Sequence, residues 1–156
     1  LVLTSSFAFG QGGVNLSGTW ILDRSKSEMP KMAGKGGGAG FDFGVKMVIE
    51  QQGATLKVTR VFEAMGQERS HTLTYTTDGK ETTSTGPRGS ITSKASWEGD
   101  KLVIISAQKL KTRRGEVSME KKEVWSPSSD GKTLTIDITS KTPKGEQTAK
   151  VVFNKQ

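Results

Sequence analysis

The chain has 156 residues and a mass of 16.8 kDa, enough for one domain with a core of its own. Only 32% of the residues are hydrophobic, and 23 basic residues outnumber 16 acidic ones for a formal charge of +7. With no cysteine and one histidine, the chain excludes a disulfide framework, a thiol nucleophile, a thiolate metal site and a multi-histidine metal centre.

The first ten residues, LVLTSSFAFG, are uncharged and apolar, with Ala8 and Gly10 at the −3 and −1 positions of a cleavage site before Gln11. They read as the tail of a secretory signal peptide whose basic start and initiating Met lie outside this sequence, which predicts a secreted or periplasmic protein. No cysteine follows, so a bacterial lipoprotein anchor is excluded. The expected organisation is a signal remnant over 1–10, a flexible spacer over 11–15 and one folded domain over 16–155. Nothing downstream approaches the roughly 20 apolar residues of a transmembrane helix.

The first strand candidate covers 16–22, LSGTWIL. Ser25-Lys26-Ser27-Glu28 then has the form of a capping box, and Pro30 limits the expected helix to about one turn, with Met29 and Met32 as its apolar underside. The glycine-rich stretch 34–40, GKGGGAG, is read as a flexible loop. It lacks the Gly-Lys-Ser/Thr entry to a helix of a phosphate loop and the spaced glycines of a dinucleotide site.

Beyond residue 40 the pattern is almost wholly strand and turn. Runs rich in β-formers occupy 45–51, 55–63, 67–76, 81–85, 91–98, 101–109, 117–125, 133–140 and 147–154. Three of them share one design, a strand-ending aromatic before a tight turn: Tyr75 before Asp78-Gly79, Trp97 before Gly99-Asp100, and Trp125 before Asp130-Gly131. These pairs supply the positive φ of a hairpin turn, so the chain is expected to fold back and forth.

Alternation assigns the faces. In Leu134-Thr135-Ile136-Asp137-Ile138 the even positions are apolar, and the same parity buries Leu56, Val58 and Phe62, then Leu73 and Tyr75, then Ile91, Ala95 and Trp97, and finally Ala149, Val151 and Phe153. The expectation is an all-β protein, an antiparallel up-and-down meander barrel of about eight to ten strands, with a short helical turn and Gly-rich loop after the first strand. A sandwich is the competing architecture.

The strand Leu16-Ser17-Gly18-Thr19-Trp20 resembles the opening Gly-x-Trp strand of the lipocalin and fatty-acid-binding (calycin) superfamily. The strand count, the short capped segment and the Asp-Gly turns fit the same group, and the chain looks most like its small secreted bacterial members. The resemblance implies a structural role for Gly18 and Trp20, the tryptophan packing across the closed barrel end. It also implies a small apolar or amphipathic ligand. Fatty-acid-binding proteins carry an Arg-x-Tyr pair in the last strand; this chain has Lys150, Val151, Val152 and Phe153 there.

Polar residues that share parity with a buried face are the candidate ligand contacts, because burying a polar group without a partner costs about 1–3 kcal/mol. Arg60 is in phase with Leu56, Val58 and Phe62, and Arg69 and His71 with Leu73 and Tyr75. Lys121 and Glu123 are in phase with Val117, Met119 and Trp125. Tyr75, Trp97 and Trp125 complete the expected cavity lining. Arg60, mid-strand between apolar neighbours, should meet either a carboxylate such as Glu123 or a ligand anion. No catalytic constellation, cofactor motif or metal-ligand spacing is visible, so the expectation is a binding protein rather than an enzyme. The alternative is a barrel packed shut, serving as a structural or protein-interaction module. The basic residues are spread along the chain, densest at Arg113-Arg114 beside Gly115 in a predicted turn, which describes a solvated surface. No nucleic-acid partner is expected, for want of interleaved aromatics or a recognised motif.

Overall fold

A computed structural model describes residues 15–28, 44–64, 66–86, 89–142 and 145–156. The expected signal remnant, most of the spacer, Met29, Pro30, Met32 and the Gly-rich loop lie outside the described residues. Ten strands follow one another: β1 (Gly18–Leu22), β2 (Lys46–Gln52), β3 (Thr55–Ala64), β4 (Gln67–Thr76) and β5 (Asp78–Gly86). The second five are β6 (Gly89–Glu98), β7 (Lys101–Thr112), β8 (Gly115–Pro127), β9 (Thr133–Thr142) and β10 (Gly145–Lys155).

Every hydrogen-bonded neighbour pair is antiparallel, in the order β4-β3-β2-β1-β10-β9-β8-β7-β6-β5. The meander thus closes through β1 and β10, leaving its two edges on the consecutive strands β4 and β5. This is a nearly closed up-and-down barrel, the architecture read from the alternating pattern.

The core follows the predicted parity. Trp20, Met47, Ile49, Leu56, Val58, Tyr75, Ala95, Leu102, Ile104, Trp125, Leu134, Ile136, Val151 and Phe153 form one buried cluster, with Leu22, Leu73 and Trp97 packed partly buried against it. Phe62 and Ile91, expected inside, are only half-buried. Both lie on the half of the barrel away from Trp20, where the apolar packing stops.

Two local expectations are corrected. Residues 24–26 form a turn rather than a helix, and no capping box forms among the described residues. Asp23 rather than Ser25 organises this turn: its carboxylate accepts from the Ser25 amide at 3.1 Å, and Glu28 then forms an isolated antiparallel bridge with Lys150. Asp23 therefore satisfies the Ser25 amide, and the chain is tied to β10 by residue 28.

The second correction concerns Asp78-Gly79, which does not make a hairpin. The reversal falls on Thr77, whose amide and hydroxyl both donate to the Ala54 carbonyl, at 2.7 and 3.2 Å. Gly79, with φ +83, instead sits in a register irregularity between Asp78 and Glu81 at the start of β5. β4 and β5 leave this corner as the two ends of the sheet order, without a ladder between them. The Gly99-Asp100 turn does join a paired hairpin, β6 to β7. Asp130 anchors the β8–β9 loop by accepting from the Lys132 amide at 3.0 Å.

Candidate functional site

The inner wall is built in layers that the register makes explicit. Trp97, Leu102, Trp125, Ile136 and Val151 lie side by side across β6 to β10, and form an apolar tier. Above them runs Ala95, Ile104, Glu123, Ile138 and Ala149, and above that Ser93, Ser106, Lys121, Ser140 and Gln147. The wall thus changes from large apolar side chains to small and polar ones within two tiers. Still further on, Ile91, Gln108 and Met119 are aligned and only half-buried. Inward positions beyond the serine tier therefore reach solvent.

Arg60 projects from β3, five strands around the barrel from β8, and its guanidinium reaches across to the Glu123 carboxylate at 3.2 Å. Arg60 is 7% exposed and Glu123 is fully buried. The Lys121 ammonium approaches the other carboxylate oxygen at 3.7 Å and keeps 26% of its side chain accessible. Among the described residues, two cations therefore share one carboxylate across the lumen. Burial lowers the pKa of Lys121; Glu123 works against this and Arg60 with it.

Tyr75 comes up from the edge strand β4, paired with Leu56, and is buried beside Arg60. Its phenol pKa is raised to about 12, chiefly by burial, against the opposing influence of Arg60. A raised folded-state pKa means that stability present below the ordinary value of 10.0 is lost as pH climbs through about 12. The loss amounts to about 3 kcal/mol. Tyr75 is the chain's one tyrosine, so ultraviolet phenolate absorbance follows it alone. Native protein should titrate about two units above the urea-unfolded chain. Coincident titration curves would show that Tyr75 is solvated.

The residues singled out from the sequence part company here. Arg60, Tyr75, Lys121 and Glu123 converge. Trp125 lies one tier below Glu123 and is fully buried, and its indole N–H finds no hydrogen-bond acceptor among the described residues. Arg69 and His71 share the inward parity but are exposed, because β4 ends the sheet and has no flanking strand to cover its upper half. Trp97 packs partly buried on the core rather than in the polar group. Gly18, at φ +140, leaves room for Lys155, whose Cε would stand 2.8 Å from an added Cβ.

Sequence reasoning missed the serines. Ser93 and Ser106 are buried and bridge β6 to β7 through their hydroxyls at 3.1 Å, and Ser140 is 1% exposed. The signal was present, since Ser140 continues the parity of Leu134, Ile136 and Ile138, and Ser93 that of Ala95 and Trp97. Small side chains on that tier leave volume for the long arms of Arg60 and Lys121.

A second opening lies along the seam. A cleft of about 250 Å³ is lined by Thr72, Leu73, Thr74 and Tyr75 of β4, Thr82, Thr83 and Ser84 of β5, and Ile91 and Ser93 of β6. Near the Thr77 corner the Thr76 hydroxyl approaches the Thr82 hydroxyl and the Lys80 carbonyl, each at 3.5 Å, so side chains tie the two edges there.

No group of three or more His, Asp or Glu suited to a metal ion occurs among the described residues. No described helix is long and apolar enough to cross a membrane. No protein-family model matches the chain, and no curated protein matches it. The near-closed ten-stranded barrel is compatible with a calycin-like fold.

Proposed function

We propose that this chain is a secreted or periplasmic binding protein of the lipocalin and fatty-acid-binding superfamily, taking a small apolar or amphipathic molecule into the open half of its barrel. The observation that carries this reading is the change in the inner wall. Below Glu123 the lumen is filled by Trp20, Trp125, Phe153 and their neighbours; above it, inward-facing Phe62, Ile91, Val117 and Met119 are only half-buried. Apolar side chains lining solvent-accessible space above a charged floor favour a molecule with an apolar body and a polar head.

The floor favours an acidic head, since it brings the cationic groups of Arg60 and Lys121 together around the Glu123 carboxylate. An apolar fluorescent probe with an acidic head should bind with a dissociation constant in the micromolar range, about −8 kcal/mol. Arg60→Gln should weaken it several-fold and leave the fold intact, because Lys121 remains to balance Glu123. Absence of uptake of any probe, neutral or acidic, would favour the second reading. Equal binding by both proteins would keep the cavity but remove Arg60 as its anchor.

That second reading is a barrel that serves as a structural or protein-interaction module. It is favoured by the Arg60–Glu123 pair, which spans the lumen and ties opposite walls together.

A further inference from the structure

We propose that Lys121 is a nucleophile that captures aldehydes as a covalent imine, with Glu123 as its proton relay and counter-ion. The inference rests on the proposed binding role and assigns that site a ligand class, carbonyl compounds with an apolar tail.

The placement of Lys121 supplies what imine formation needs. Its ammonium stands 3.7 Å from the Glu123 carboxylate, close enough for a proton to pass between them with a small side-chain movement. Its register neighbours are Ser106 on β7 and Ser140 on β9, small residues that bring hydroxyls to the same tier. A quarter of the side chain stays accessible, at 26%, while the floor below it is closed. The same strand continues towards the open end through Met119 and Val117, roughly 13 Å of apolar wall from Lys121 to Val117. An aldehyde whose head reached Lys121 would lay a medium-length alkyl chain along that wall.

Among the described residues, Glu123 of its own strand and Arg60 of β3 are charged groups that act on Lys121, with Tyr75 of β4 beside Arg60. Desolvation next to a second cation is a recognised way of making a lysine amine nucleophilic near neutrality. Burial and the Arg60 charge both act in that direction here.

The step balances without any oxidant or reductant. The proton moves from the Lys121 ammonium to Glu123, and the amine nitrogen bonds to the carbonyl carbon while its proton passes to the oxygen. The C–O bond then breaks as Glu123 returns its proton to the departing hydroxyl, and one water leaves. The product is a protonated imine beside the Glu123 carboxylate.

The test uses the full chain, decanal as probe and sodium cyanoborohydride to trap any imine as a stable secondary amine. Intact mass should show one added decyl group at stoichiometric aldehyde, and peptide mapping should place it on Lys121. Enrichment over the mean of the other lysines should be about tenfold for each unit by which the amine pKa is lowered. Lys121→Met and Lys121→Arg should both lose the adduct, the arginine variant keeping the charge so that loss of fold is not the cause. Adducts scattered over surface lysines without enrichment at Lys121, or persisting in both variants, would overturn the proposal. Displacement of a fluorescent probe by decanol, which cannot form an imine, is measured alongside. Uptake of decanol or of the acidic probe with no adduct removes the imine and leaves the binding role standing, whereas absence of an adduct and of uptake of either removes the two together.

Discussion

Trp20→Ala should melt roughly 10 °C below the wild type, within a range of about 6–20 °C. The indole is 1% exposed, with Met47 of β2 and Lys155 of β10 as its register neighbours. Its N–H donates to the Leu16 carbonyl at 3.0 Å, and the Lys155 ammonium lies 5.7 Å from the ring centroid. The Leu16 amide in turn donates to the Gln51 side chain at 2.8 Å, while the Gln51 amide donates to the Ser17 hydroxyl at 3.0 Å. The ring therefore fixes the strap that leads into β1 as well as filling the barrel end. Removing such a body leaves a cavity worth about 3–5 kcal/mol, and each kcal/mol shifts the midpoint of a chain this size by about 2–4 °C. Trp20→Phe should recover part of the loss, keeping bulk but not the hydrogen bond. An unchanged melting curve for Trp20→Ala would place the ring outside the core.

The second large effect is an asymmetry within the cross-lumen charges. Glu123→Leu should destabilise by about 3–5 kcal/mol, because it leaves two buried or half-buried cations facing each other without their shared carboxylate. Arg60→Gln should cost clearly less, because one cation and one carboxylate remain and the amide can still donate to Glu123. Replacing all three groups together, by Arg60→Met, Lys121→Met and Glu123→Leu, should return close to wild-type stability, since apolar groups of similar volume need no compensation. Urea denaturation of the three variants tests the order. If Glu123→Leu were as stable as the wild type, the pair would contribute nothing across the lumen.

What could be read from the sequence was whatever a two-residue period encodes. Strand positions, the side each residue faces and the approach of Arg60 to Glu123 all depend on parity, and parity survives as long as no bulge intervenes. Closure was harder. Asp78-Gly79 carries the same letters as a hairpin turn, yet the two hydrogen bonds from Thr77 to Ala54 move the reversal back by one residue, and that contact joins positions far apart in the chain. The capping box failed for a similar reason, a competing partner in β10. At the site, parity picked out Arg69 and His71 together with Tyr75, but it could not show that their strand would be an edge. Nor does a serine advertise itself as lining, although Ser93, Ser106 and Ser140 stand where the wall changes from apolar to polar.

The unpaired seam between β4 and β5 gives the molecule a property that a fully laddered barrel lacks. When every strand is bonded to both neighbours, circumference is fixed by strand number and stagger, and widening it means breaking a ladder. Here the perimeter is completed by side-chain contacts near one corner, so its girth is compliant. The sheet can uncurl slightly, like a split ring, with all nine of its ladders intact. Bulky guests would then be accommodated by strain spread over sheet twist rather than by local unfolding, and amides of β4 and β5 facing the gap would exchange with solvent hydrogen long before those of β8 and β9.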